Sequence, residues 1–462
     1  MVGRMTREAT PIGWIGIIRL GLVQTSLGAI VILMTSTLNR VMVVELGLAA
    51  AIPGLLVGWH YAVQMSRPRW GYGADTGGRR TPWIFGGMAV LAFGAISAAL
   101  AVSMIPAYFW AGLLMSVLAY ALIGAGVGAA GTNLLALLAI RTEPSRKAAA
   151  AAIVWIMMIM GFVLTAGIGG GFLKPFSFER LILVTSSVSA IALAVTFAAL
   201  YRLETAHSPS GTQPRTLADG PDREQAFTAA LRETWADPQA RRFTIFVFVS
   251  MLAYSAQDLI LEPFAGLVHG YDAGSSTQLA GLQNIGTLLG MVVTALAGTM
   301  IGKSRAGFMR AWTVGGCIAS GGALLALGLG TQLMGTNWPL VANVVALGTA
   351  NGAFAVAAIG SMMTLASSGP KQREGTRMGL WGAAQAVAFG LGGFLGAAAV
   401  DVSRAIMDAP APAFALVFAV EGLIFLVAAA LALRVGETSA DASRLPALPS
   451  AEFLVVRSGE TT

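Results

Sequence analysis

The sequence has little of what soluble and secreted proteins rely on. Only 11% of its 462 residues are charged, against 56% hydrophobic, and the mean hydropathy is +0.73. That composition excludes an ordinary water-soluble enzyme. A single cysteine, Cys317, lies inside an apolar run, which excludes a disulfide framework and a thiolate metal cluster. The three histidines, His60, His207 and His269, lack metal-ligand spacing to one another or to a carboxylate cluster. No Ser/His/Asp constellation, phosphate-cradling loop or dinucleotide fingerprint stands out. The 29 basic residues outnumber the 22 acidic ones, but they occupy short gaps between apolar segments, which points to a membrane and away from nucleic acid.

What the chain does have is long apolar runs. A membrane-spanning helix needs roughly 20 such residues, and windows near 12–38, 49–66, 82–104, 107–130, 148–171 and 180–201 qualify, the fourth with a continuation towards 140. A second set follows near 242–268, 276–301, 308–330, 338–366, 378–400 and 412–434. Arg4 and Arg7 precede the first window, which is too long for the core of a cleaved signal peptide and reads as a retained span. With a cytoplasmic amino terminus, the basic residues fall on the cytoplasmic side apart from Arg40, Lys174, Arg180 and Arg404 outside and Arg19 within the first span. That is the positive-inside bias, and it places both termini in the cytoplasm.

The expected organisation is therefore a six-helix bundle over 1–201, a cytoplasmic linker over 202–241, a second six-helix bundle over 242–434 and a cytoplasmic tail over 435–462. The linker carries Ser208-Pro-Ser-Gly211, Pro214 and Pro221, an exposed inter-domain composition. Within it Phe227, Leu231 and Trp235 form one apolar stripe of an amphipathic helix, read either against the membrane or against the protein's own cytoplasmic face. Pro144, Lys147 and Trp155 recur as Pro370, Arg373 and Trp381 at a constant offset, an internal repeat. Two pseudo-symmetric bundles with a midplane cavity describe an all-α membrane protein of the major facilitator fold, with 12 transmembrane helices. Between spans two and three, Gly71-Tyr-Gly-Ala-Asp75-Thr-Gly-Gly78-Arg79-Arg80 resembles the cytoplasmic signature of that superfamily. There Asp75 is expected to latch onto an Arg or a helix amino terminus of the opposite half, while Arg79 and Arg80 hold the loop cytoplasmic. The second half's equivalent, Gly298 to Arg310, has no Asp.

Three segments carry a narrower resemblance. Thr37-Leu-Asn39-Arg40-Val-Met-Val-Val-Glu45-Leu46, then His60-Tyr61, then Gln257-Asp258-Leu-Ile-Leu-Glu262-Pro263-Phe264 together resemble the PucC/LhaA family, also called the bacteriochlorophyll delivery family. Its members are major-facilitator-like proteins of phototrophic bacteria. The resemblance implies a factor of the bacterial inner membrane, cytoplasmic or intracytoplasmic, that assembles light-harvesting antenna complexes. Its implied cargo is bacteriochlorophyll, with carotenoid a second pigment, and its implied partners are antenna polypeptides and pigment-synthesis enzymes. An older family label is subunit of bacteriochlorophyll synthase, but no Asp-rich repeat of the kind that holds Mg-diphosphate occurs here, so no enzymatic activity is expected.

Ionisable residues within spans need an explanation, since a charge at mid-helix costs about 2.5–3.5 kcal/mol. Arg19 either snorkels to the cytoplasmic interface or meets a pigment carbonyl or Glu421. Glu421, midway along span twelve, is read as a neutral hydrogen-bonded acid or as a proton-coupling group. His60 between Trp59 and Tyr61 is either the axial ligand of a pigment Mg with aromatic neighbours stacking on the macrocycle, or a histidine hydrogen-bonded between helices. Arg40 is expected to pair with Asp258 or Glu262 at the outer mouth, closing one side while the Asp75 latch governs the other; interfacial anchoring is the plainer reading. The leading functional expectation is pigment delivery. A proton-coupled secondary transporter of a small amphiphile and a pigment-free scaffold for antenna helices stay open beside it.

Overall fold

In lipid, backbone N–H and C=O groups find no water, so an apolar run must satisfy them within itself by becoming a helix. The computed structural model describes residues 12–67, 70, 79–143, 146–204, 232, 235–300, 307–367, 374–407 and 409–435. Those residues contain no strand. Among the described residues twelve long helices follow one another: α1 (Trp14–Glu45), α2 (Ala51–Gln64), α3 (Thr81–Met104), α4 (Phe109–Arg141), α5 (Lys147–Leu164, carried on through Thr165–Gly169 to Gly170–Phe172) and α6 (Phe178–Leu200). After the linker come α7 (Pro238–His269), α8 (Ala273–Met300), α9 (Phe308–Met334), α10 (Leu340–Ser367), α11 (Glu374–Ile406) and α12 (Pro410–Arg434). Eleven are long and apolar enough to cross a membrane. The exception is α2, whose 14 residues span about 21 Å at 1.5 Å per residue. It falls short of the expected 49–66 window by two residues at each end, after the irregular connection that follows Gly47, at φ 64°, and before the turn in which the Met65 and Ser66 N–H groups bond to the Ala62 and Val63 carbonyls.

Packing shows the duplication. In the first half α1 lies against α5 and α6, α2 against α4, and α3 against α4 and α6; in the second half α7 lies against α11 and α12, α8 against α10, and α9 against α10 and α12. Each contact of the first half thus has its counterpart in the second. The halves meet through α2 on α11 and, by the same symmetry, α8 on α5, with the end of α1 reaching α7 and α8. Each half has its own apolar core, Ile17, Leu91 and Tyr120 in one and Phe264, Phe354 and Phe418 in the other. Leu114, Leu118, Leu183 and Leu333 are exposed instead, a lipid-facing surface.

Close helix approach depends on glycine at one seam in particular. Gly286 and Gly290 on α8 face Gly348 and Gly352 on α10, and a Cβ on any of them would lie 2.0–2.4 Å from a carbonyl oxygen of the other helix. Small residues allow such backbone contact, which carries association where lipid removes the hydrophobic drive. Of the repeat, Lys147 and Trp155 fall on α5 and Trp381 on α11; Trp155 is 40% exposed and Trp381 1%, so the two tryptophans match in topology and not in surroundings. Pro144, Pro370, Arg373, Phe227, Leu231, His207, the tail beyond residue 435 and Asp75 lie outside the described residues.

Candidate functional site

Polar groups that join the halves gather where α1 and α7 end, the side that the charge bias places outside. Asn39 donates to the Leu259 carbonyl at 2.5 Å, and Thr37 and Thr277 share a hydrogen bond of 3.1 Å. Asp401 on α11 caps α2 from across the interface, its two oxygens accepting from the backbone N–H of Ala50 at 2.8 Å and Ala51 at 2.7 Å, where a carboxylate also meets the positive end of the helix. The symmetry-related seam carries Lys174, beyond α5, donating to Gln278 on α8 at 2.8 Å.

Arg40 lies at the centre of this seal, 2% exposed. It does not pair with Asp258 or Glu262, as the sequence led us to expect. Its guanidinium binds Glu45 and donates to the Tyr271 carbonyl at 2.6 Å, still tying the two halves. The reason is local: Leu33–Leu38 and Val41–Glu45 are π-helical. Residues five apart point about 140° away from each other round an α-helix, and the wider turn brings Arg40 and Glu45 together. Beside them, Asp272 occupies the turn between α7 and α8. Burial alone would raise its pKa, but hydrogen bonds from Ser275 and the charges of Lys174 and Arg40 outweigh it and hold the carboxyl below its usual range.

Deeper in, the three aromatic candidates separate. Successive helix residues turn by about 100°, so Trp59, His60 and Tyr61 face three directions. Trp59 is 43% exposed on the outer surface, donating its indole N–H to the Val117 carbonyl at 3.2 Å. His60 is 2% exposed, with Nε2 2.6 Å from the Gln64 side-chain nitrogen and Nδ1 buried without a hydrogen-bond partner, enclosed within its own half. Tyr61 points across to the second half, its ring 5.7 Å from that of Phe389 on α11. Phe389 continues to Tyr254 on α7 at 5.8 Å, and both, with Tyr61, are only partly buried. The result is an aromatic band shared by the two halves.

Acidic groups lie along the same side of α7. Asp258, one turn beyond Tyr254, is partly buried, takes a hydrogen bond from Gln283 and sits within electrostatic reach of Tyr61, Tyr254 and Glu421. Glu262 accepts from Thr277 at 3.5 Å. Glu421 on α12 is buried with no hydrogen-bond partner on either carboxylate oxygen, and Gln257 is buried with both amide atoms equally unpartnered. Phe264 contacts Phe414 and Phe418, and since residues seven apart share a helix face, Gln257 and Glu421 look into the same α7–α12 seam.

At the cytoplasmic end Arg19 meets neither Glu421 nor the aromatic band. It donates to the Ala199 carbonyl at 2.8 Å and to the Tyr201 carbonyl, satisfying the free carbonyls at the end of α6. Arg79 donates to the Glu204 carbonyl at 3.3 Å and Arg80 to Asn133 at 3.2 Å, contacts within their own half. Glu204 caps α3, accepting from the backbone N–H of Arg80 and Thr81 and from the Thr81 hydroxyl. Asp401 and Glu204 were passed over in the sequence, where they read as ordinary polar residues beside span ends, while Glu45 and Gln257 figured only in the family resemblance, with no role assigned.

The family model described as PUCC protein matches residues 37–440, covering most of both halves. The chain belongs to the PUCC family. Among its curated relatives is a Rhodobacter capsulatus protein named bacteriochlorophyll synthase 44.5 kDa chain, 50% identical over 444 residues, with 96% of this chain and 100% of that protein aligned. Another is Protein PucC of the same species, 28% identical, covering 90% of this chain and 91% of the relative. Solved structures of similar fold include a peptide transporter POT in complex with sulfate, at TM-score 0.67 and 16% identity over 93% of this chain and 96% of that one. A POT family transporter in complex with 5-aminolevulinic acid matches at TM-score 0.65 and 15% identity over 91% and 97%. At such identities the likeness shows fold alone: this PUCC family member has the major facilitator architecture and is a multi-pass protein of the bacterial inner membrane.

Proposed function

We propose that this protein is a non-enzymatic assembly factor that holds bacteriochlorophyll, with carotenoid as a second cargo, and passes it to nascent light-harvesting polypeptides. The observation that carries the reading is the aromatic band of Tyr61, Phe389 and Tyr254, because a flat conjugated ring stacks on such side chains in offset or edge-on geometry. The relative named bacteriochlorophyll synthase 44.5 kDa chain agrees with a role in bacteriochlorophyll biogenesis. Mg is a hard cation that favours oxygen ligands, and Asp258, partly exposed beside the band, suits it where the enclosed His60 does not. Antenna polypeptides and pigment-synthesis enzymes are the partners this reading calls for.

The test is the absorption spectrum of protein purified from a phototrophic membrane. Bound near-infrared pigment is expected, reduced in Tyr61→Ala and Tyr254→Ala at unchanged melting temperature and retained in His60→Ala. Colourless wild-type protein would overturn the reading. The buried acids Glu262 and Glu421, with the partly buried Asp258, favour one other reading, proton-coupled transport of a small amphiphile. Proton-driven uptake by colourless protein, lost in Glu421→Gln, would establish it.

A further inference from the structure

Far from the aromatic band, α3 and α6 leave a groove at their cytoplasmic ends, about 710 Å³ in volume. Its walls are apolar and aromatic. Phe85 stands edge-on to Phe197 at 6.0 Å, Phe197 lies 6.2 Å from Tyr201, and Leu200 forms the floor. The ladder ends in charge: the Arg202 guanidinium sits over the Tyr201 ring at 5.3 Å, and Arg79 shares the rim.

Two features set this rim apart. Among the described residues neither arginine is paired with a carboxylate, since the Glu204 carboxylate is taken up by the amino terminus of α3. Arg202 also has φ 55°, the one non-glycine among the described residues in the left-handed region. It occupies the tight turn after α6, closed by Leu203 N–H on the Leu200 carbonyl at 3.0 Å, a position that glycine takes without strain. Strained residues persist where the surrounding structure holds them and cluster at functional sites, and this side chain brings a cation to the mouth of a greasy slot at the cytoplasmic end of α6.

We propose that the groove binds an anionic phospholipid of the cytoplasmic leaflet, its phosphate on Arg79 and Arg202 and an acyl chain along Phe85, Phe197 and Leu200. Basic pockets between spans on the cytoplasmic side recognise acidic headgroups by this chemistry, and the aromatic walls take the chain as they would any apolar surface.

The experiment is native mass spectrometry of the full chain with equal amounts of phosphatidylglycerol and phosphatidylcholine of matched acyl chains. Wild-type protein is expected to retain phosphatidylglycerol in preference, with the adduct about five-fold weaker for each of Arg79→Gln and Arg202→Gln. Arg241→Gln, an exposed arginine at the start of α7, should leave the adduct unchanged. Arg202→Gly separates binding from folding: relieved of its left-handed strain, the variant should melt no lower than wild type while losing the preference. Equal retention of the two lipids, or a preference that survives the double substitution, overturns the proposal. So does loss of a pigment or of a self-associated form, in place of the lipid, from the double variant.

Discussion

Replacing Arg40 by Gln should open the outer face. The shorter side chain cannot reach both Glu45 and the Tyr271 carbonyl, so α1 loses its charged tie to the α7–α8 turn. A hydrogen bond from a charged donor contributes about 1.5–3 kcal/mol. Glu45 is 32% exposed where Arg40 is 2%, so the freed carboxylate turns to water and adds little further penalty. Taking about 2 kcal/mol, the ratio of unsealed to sealed molecules rises about 30-fold. Ser276, fully buried on α8, is a suitable reporter, because its hydroxyl bonds to the Ala273 carbonyl and to the Glu262 carboxyl and to neither Arg40 nor Glu45. In a Cys317→Ser background, Ser276→Cys should react with a membrane-impermeant maleimide applied from the periplasmic side about 30-fold faster once Arg40→Gln is added. An unchanged rate in a normally melting variant would show that Arg40 does not hold the seal.

Gly290→Ala sets a Cβ 2.0 Å from the Thr349 carbonyl oxygen, so α8 and α10 must part, and a loss of about 3 kcal/mol is expected; heat-dependent labelling of the buried Cys317 follows the unfolding. Gly315→Ala meets nothing within 4 Å and should melt like wild type. Glu421→Leu removes a buried carboxyl that no group satisfies and should raise stability by about 1–3 kcal/mol, measured by the same labelling. Asp272 has its pKa lowered in the fold, so its stabilising contribution is complete above the ordinary carboxylate range and lost as pH falls through the folded value. The melting temperature should therefore lose this contribution only below about pH 4, and Asp272→Asn should remove that part of the pH dependence.

Much of the architecture was readable because lipid imposes one strong rule, a long apolar run per crossing, and because charge bias orients the result. The spans, the duplication and the side on which Arg40, Lys174 and Asp401 lie all follow from those two regularities. Pairings were less readable. Arg40 and Glu45 meet through a π-helical stretch, which leaves no mark in composition, and an α-helical reading turns them apart. Arg19 looked like an intramembrane charge because nothing in sequence shows that α6 ends beside it. The cluster of Trp59, His60 and Tyr61 was a different case, since helical geometry alone separates neighbours, and only Tyr61 reaches the other half. Asp401 and α2 are some 350 residues apart in the chain, a distance that no local pattern bridges.

The glycine contacts between α2 and α11 bear on how the halves move. Gly54 lies against Ala397, and Gly58 against the Gly390 carbonyl. At these positions no bulky knob interlocks, the Tyr61–Phe389 pair lying further along the seam, and here the two rods can slip along each other much as a shaft turns in a plain bearing. Resistance to rocking is then concentrated in the few polar fasteners at the outer rim, where single substitutions should govern how often the interior is offered to the opposite side.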